Sequence, residues 1–290
     1  MPAFVTASGP SLFDASFLGR ARDGSWWVGV VRRAPPGSKL PLDIGFRLGT
    51  KHPLSDLWQD PDGGLWVCGD NGVRINPTPW GDRDGTSDRW ELRELDAPLH
   101  GITGVDARCV LTWGVRQSDG VHVLRLFNGA RWNPVGGPGF AITACDLSAP
   151  DRIWACGDGV GRWNGEGWDV LDEPGLIALH APSDDRVIVL RDDGVFGRVT
   201  PEGLAVLGHV EGARAIAVWR DRIWIGAGEN GLWRAGGGEV VCVREDRHCV
   251  ALEARGDSLL IGCTDLVSST DDGERFPGGC RGVLEPLRLR

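Results

Sequence analysis

Residues 152–171 read RIWACGDGVGRWNGEGWDVL. The stretch holds three runs of strand-forming residues, at 152–157, 160–165 and 167–171. FAITACDL at 140–147 precedes it and adds a fourth. The breaks between the four segments, A to D in order, hold Pro, Asp, Gly and Asn, which supply turn geometry. No stretch of the chain shows an apolar period of 3.6, so helices should be nearly absent.

The phrase at the centre of this unit recurs: a short β-branched or Trp run, a Gly, a turn, then another Gly and an apolar pair. It reads SWWVGVVR at 25–32, LWVCGDNGVR at 65–74 and, degenerately, VLTWGVRQSDGVHVLRL at 110–126. Further copies are VIVLRDDGVFGRV at 187–199, IWIGAGENGLWR at 223–234 and LLIGCTDLVSST at 259–270. Anchors at Trp27, Trp66, Leu111, Trp154, Ile188, Trp224 and Leu260 give steps of 39, 45, 43, 34, 36 and 36. Four antiparallel strands repeated about every 40 residues are the signature of a propeller blade. The fold expected is all-β, one seven-bladed β-propeller over residues 1–290, with six blades plus an elaboration as the alternative. Blade cores are expected near 16–48, 54–95, 102–135, 140–171, 175–207, 213–244 and 248–289. Blade 1 is irregular, because 34–39 is a Pro/Gly/Ser loop. Residues 3–7 are expected to close the ring as a strand beside 282–289. Trp27, Trp66, Trp154 and Trp224 should lie on strand B, Trp163 and Trp233 on C, and Trp90, Trp132 and Trp168 on D, packing blade on blade. The glycines that follow strand B are expected to supply positive φ in the B–C turns.

The fourth unit resembles a bacterial propeller repeat, Trp-Ala-x-Gly-x-x-Gly followed by an apolar residue, two others, (Trp/Phe)-Asn-Gly-x-x-Trp. LRLFNGARWNPV at 124–135 repeats its second half. STDDGERF at 269–276 is similar to an Asp-box, in which Asp271 and Gly273 would lock the C–D hairpin. The resemblance implies the propeller fold, and such propellers serve as photosystem-assembly factors, sensor domains, lectins and sialidases. Fold therefore does not decide function. The chain has no Tyr, which removes a sialidase nucleophile and a galactose-oxidase-like copper site. Trp168-Asp169 occurs once, so a WD-repeat assignment lacks its recurring signature.

Composition narrows the field further. There are 44 Gly and 14 Trp, with one Met; many turns and an aromatic core fit that balance. Lys and Arg number 31 against 40 Asp and Glu, a net charge of −9. This works against nucleic acid and anionic membranes, which need a basic footprint. No apolar run reaches the roughly 18 residues of a bilayer span. The segment MPAFVTASGPSLFDAS lacks the basic and apolar regions of a secretory signal, so a cytoplasmic location is expected. The eight cysteines include Cys68 and Cys156 in matching Trp-x-Cys-Gly slots. They read as reduced, small hydrophobes, and no zinc spacing is present.

Candidate chemistry gathers on one face, where B–C turns and D–A connections meet. Asp70, Asp158, Asp192, Asp193, Glu229 and Asp265 occupy B–C turns, where Asp is a good turn residue. His52, His100, His209 and His248 fall at or just before strand A. The lengthened turn of blade 3 projects Arg116 and Gln117, and Arg214 starts another strand A. The insertion NPTPWGDRDGTSD at 76–88 carries the off-repeat Trp80 and a partial calcium-loop pattern, Asp82, Asp84 and Asp88; the Glu that would complete it is replaced by Arg93. No nucleophile elbow, P-loop or dinucleotide fingerprint is present. The function expected is a non-catalytic binding module holding a protein partner through Trp80, Arg116, Gln117, His100, Arg214 and His248, with no cofactor, in or outside a larger complex. The alternatives are a glycan-binding propeller and a metal-dependent hydrolase or lyase at the axial mouth.

Overall fold

The computed structural model describes residues 3–11, 14–33, 42–77, 90–246, 248–263 and 267–276. Blade 1 holds β1 (Ala3–Ser11), β2 (Asp14–Arg20), β3 (Trp26–Arg33) and β4 (Leu42–Thr50). Blade 2 holds β5 (Leu54–Gln59), β6 (Leu65–Gly69), β7 (Gly72–Asn76) and β8 (Glu91–Arg93). Blade 3 holds β9 (Leu99–Asp106), β10 (Cys109–Val115), β11 (His122–Phe127) and β12 (Trp132–Val135). Blade 4 holds β13 (Ile142–Ala149), β14 (Arg152–Gly157), β15 (Val160–Trp163) and β16 (Trp168–Leu171). Blade 5 holds β17 (Leu176–Ser183), β18 (Arg186–Arg191), β19 (Val195–Thr200) and β20 (Gly203–His209). Blade 6 holds β21 (Ala215–Trp219), β22 (Arg222–Gly226), β23 (Leu232–Gly236) and β24 (Glu239–Arg244). Blade 7 shows β25 (Cys249–Arg255), β26 (Ser258–Cys263) and β27 (Val267–Thr270). No helix occurs among the described residues.

Each blade is an antiparallel meander in chain order. The first strand of each blade touches the first strand of the next, and β25 touches β1, so seven blades close a ring. Seven buried apolar clusters fill the seven seams. The repeated tryptophans supply much of this filling. Trp66 meets Phe127 and Trp132 of blade 3 at 5.5 and 6.4 Å between ring centroids. Trp224 meets Trp219 at 5.9 Å and Phe276, beyond blade 7, at 6.4 Å. A blade alone would leave both faces wet, so ring closure is what buries them.

Strand A also repeats an irregularity. Its register against strand B shifts between Phe4 and Thr6, Leu54 and Asp56, Leu99 and Gly101, Ile142 and Ala144, Leu176 and Ala178, and Cys249 and Ala251. Six of seven blades thus start with the same β-bulge, which bends the strand locally and increases its twist.

Three expectations need correction. Residues 3–7 belong to β1 and pair with β2 of their own blade. The hairpin closes a far shorter loop than pairing near residue 282 would, and loop closure costs less entropy when short; residues 282–289 lie outside the described residues. Trp27 sits on the third strand of blade 1, because DASFLGR forms β2 and WWVGVVRR forms β3. Its indole lies against Phe17 at 5.3 Å and over Gly19, where a Cβ would come within 2.2 Å of the ring. The B–C turns do take positive φ at Gly120, Gly194, Gly228 and Gly231, whereas Gly69, Gly114, Gly157 and Gly226, within the ends of strands B, have no positive φ. At Gly69, Gly114 and Gly157 the glycine is required by close approach: a Cβ would meet the carbonyl oxygens of Pro53, Pro98 and Ala141 at 2.2, 2.0 and 1.9 Å. At the Asp-box-like turn the carboxylate that accepts the backbone N–H groups of Glu274 and Arg275, at 2.8 and 2.7 Å, is Asp272 rather than Asp271.

Gly157→Ala should lower Tm by roughly 5 °C, since overpacking against backbone costs about 1–3 kcal/mol. Gly167→Ala, with no atom within 4 Å of its added Cβ, should leave Tm unchanged. Thermal unfolding followed by circular dichroism checks both.

Candidate functional site

Strand A begins and strand B ends on one face of the ring, so B–C turns and D–A connections share it. The residues expected there divide into two groups. His100 is the bulged residue of β9 and is exposed. Arg116 and Gln117 open the loop between β10 and β11, which Arg116 N–H to Val121 O at 2.9 Å closes. The Arg116 guanidinium is held by Asp119, at 3.0 and 2.8 Å, and this partner raises its pKa. Gln117 is exposed beside it. The second group lies across the ring at the seam of blades 6 and 7. Arg214 is exposed and passes over Gly228, where a Cβ would stand 3.5 Å from its Nε. Gly228 exchanges two backbone hydrogen bonds with Cys249, and exposed His248 precedes that residue. Thus His100, Arg116 and Gln117 come together in blade 3, Arg214 and His248 at one seam, and the two groups remain apart. Trp80, Asp82, Asp84, Asp88 and Asp265 lie outside the described residues.

His52 and His209 are exposed as well. His209 ends β20, and its Nε2 meets the Asp193 carbonyl oxygen at 2.9 Å. The turn acids Asp70, Asp158, Asp192, Asp193 and Glu229 are all exposed. Among the described residues no three His, Cys, Asp or Glu side chains are grouped to hold a metal ion.

The axial channel holds what the sequence reading missed. Its inner cavity, about 410 Å³, is lined by residues from the first strands of all seven blades. Every such strand is an edge, and its channel-side N–H groups have no ladder partner. Acceptors on neighbouring blades take them up in sequence around the ring. The Ser8 hydroxyl accepts from Gln59 N–H at 2.9 Å. Asp56 accepts from Ile102 N–H at 3.1 Å, and Nδ1 of His122 accepts from Ile142 N–H at 3.0 Å. Asp146 accepts from Ala181 N–H at 2.8 Å, and Nδ1 of His180 accepts from Val218 N–H at 3.0 Å. Blades 6 and 7 meet through the Gly228–Cys249 backbone pair. Glu253 closes the circle by accepting from Gly9 N–H at 3.0 Å. It also pairs with Arg255, which donates to the Gln59 carbonyl at 2.6 Å.

The channel wall strips water from these groups. Burial pushes the Asp56 carboxyl up to about 7, against the pull of the N–H groups of Ile102 and Leu57. Burial also raises Asp146 and Glu253, and it lowers His180 so that the ring stays neutral and can accept. The repeat did carry a signal for three of them. In CDL, LHA and LEA the middle residue, Asp146, His180 or Glu253, occupies the same paired slot of strand A.

No protein-family model and no curated protein matches the sequence. Solved structures match its fold. YCF48 from Cyanidioschyzon merolae superposes with a TM-score of 0.62 at 13% identity, covering 92% of this chain and 94% of that one. A structure described as YCF48 bound to D1 peptide gives 0.61 at 11%, covering 89% of each chain. The β-propeller domain of Cps50 (Swd1) from Myceliophteria thermophila gives 0.57 at 11%, covering 91% and 96%. At these identities the likeness is one of fold: the chain is similar to propellers over 89–92% of its length.

Between about pH 4 and pH 7 the folded chain carries a proton on Asp56 that the unfolded chain lacks. This group's contribution to stability therefore grows as pH falls through that window. Relative to Asp56→Asn, the wild-type Tm should rise by roughly 5 °C from pH 8 to pH 5. The depressed His180 acts with opposite sign, losing stability as pH falls below its ordinary value, but it is common to both proteins. Parallel Tm–pH curves would remove the buried-proton account.

Proposed function

We propose that the chain is a non-catalytic binding propeller that holds a protein partner on the face of its B–C turns and D–A connections. The observation that carries this reading is the use of the channel's ionisable groups. Asp56, Asp146, His180 and Glu253 spend their acceptor atoms on the backbone of neighbouring blades, which makes them part of the frame. The polar side chains left exposed on this face, Gln117, Arg214, His100 and His248, sit on a rigid ring. Interfaces of this kind take their specificity from a few positioned side chains. The fold neighbour described as bound to a peptide supports the same direction.

A glycan-binding reading has less to stand on. It needs an exposed aromatic repeated from blade to blade, and Trp66, Trp154 and Trp224 are buried in seams. Trp80 remains a proposed lateral contact on sequence grounds.

Arg214→Glu and Gln117→Ala test the reading, with Arg222→Glu, on the opposite face, as the control. Tagged chains are used to capture partners from the source lysate, quantified by mass spectrometry. A stoichiometric protein should be retained by the control and reduced at least tenfold by the loop-face variants. Equal recovery on all variants, or no protein recovered, would contradict it.

A further inference from the structure

Blade 7 departs from the repeat at one paired position. Where strand A opens, the facing residues are Leu54 and Gly69, Leu99 and Gly114, and Ile142 and Gly157 in blades 2, 3 and 4. In blade 7 the same two positions are Cys249 and Cys263. An apolar residue and a glycine have been replaced together by two thiols. Their backbone geometry is fixed by the neighbouring blade. The N–H and C=O of Cys249 both bond to Gly228, at 3.1 and 2.8 Å, and so point away from β26. Cys249 and Cys263 are therefore a non-hydrogen-bonded antiparallel pair, in which facing Cα atoms stand about 4.5 Å apart with side chains on one face. A disulfide spans Cα separations of about 4.4–6.8 Å. Both thiols are buried in the same cluster, against Trp219 and Trp224.

Cys145 and Cys156 make the contrast. They are diagonal on β13 and β14, facing Ala155 and Ala144. Cys145 enters the seam of blades 3 and 4 and Cys156 that of blades 4 and 5, so a bond between them would cross the sheet.

We infer that Cys249 and Cys263 are a site of covalent modification, closing a cross-strand disulfide when the chain meets a small-molecule disulfide. The inference does not rest on the partner reading. One cysteine thiolate attacks a sulfur of the small disulfide, whose S–S bond breaks and releases one small thiolate. The second cysteine thiolate then attacks the mixed disulfide, forming the Cys249–Cys263 bond and releasing the other. Two cysteine thiols are oxidised, one small disulfide is reduced to two thiols, and the two cysteine protons pass to them. The neighbouring thiol and burial hold the Cys249 pKa well above its ordinary value, so exchange in the closed ring is slow and proceeds as the strand pair opens or folds. The bond would tie strands A and B of blade 7 beneath the Gly228 bridge.

The test uses the full chain, unfolded and refolded in glutathione disulfide and glutathione. A second sample is held folded for a day in the same mixture. Both are alkylated with iodoacetamide and digested with trypsin without reductant. Cleavage after Arg247, Arg255 and Arg275 places the two cysteines on separate peptides, 248–255 and 256–275. These two peptides should leave joined, with two of the eight cysteines unalkylated, and separate on adding dithiothreitol. The 15-residue loop from Cys249 to Cys263 should raise Tm of the oxidised ring by roughly 5 °C over the reduced one. Eight alkylated cysteines in a cooperatively melting ring, or a main product linking any other pair, would overturn the inference.

Discussion

The inner strand of each blade is a sheet edge buried at the axis, and the rest of the structure depends on how that edge is satisfied. A buried, unpaired N–H costs as much as a lost hydrogen bond. The chain answers with acceptors from adjoining blades: Ser8, Asp56, His122, Asp146, His180 and Glu253, and the Gly228 backbone at the seam of blades 6 and 7. These contacts set the spacing of blades that the apolar seams then fill. Ring closure is thereby both polar and apolar, and it needs no strand exchanged between the ends of the described chain.

This arrangement also commits the channel's ionisable groups to the frame. A carboxylate or imidazole that must hold a neighbouring N–H is restricted in position and protonation state. Burial keeps Asp56 partly protonated near neutrality and His180 unprotonated. The exposed loops carry no such duty. Their conformations are anchored instead by their own turns, as with Arg116 and Asp119, and by glycines whose bare backbone lets strand B approach the entry to strand A. The division between a committed interior and an uncommitted face is the physical basis of the binding reading.

The fold was legible because the repeated phrase combines strand residues, a close-approach glycine and a turn at a period of about 40 residues. Position within a blade was less legible. SWWVGVVR resembles strand B in composition, yet the Phe17–Gly19 segment pairs ahead of it and moves Trp27 to strand C. The glycine of Trp-x-Cys-Gly was visible, but its reason was not: close approach of the Pro53 and Ala141 carbonyls becomes apparent only when strands A and B are side by side. The channel residues were hidden for a related cause. Asp146, His180 and Glu253 sit within otherwise apolar strands, and only strand alignment brings them to one slot. The exposed turn acids were easier to notice and have less structural work.

The most direct measurement of the central claim is amide hydrogen exchange at single-residue resolution. The N–H groups of Gln59, Ile102, Ala181 and Val218 bond to side chains of other blades and to no neighbouring strand. The account predicts that they exchange as slowly as ladder amides at the centre of β18, opening only with the whole ring. Exchange at the rate of exposed turn amides, while β18 stays protected, would contradict it.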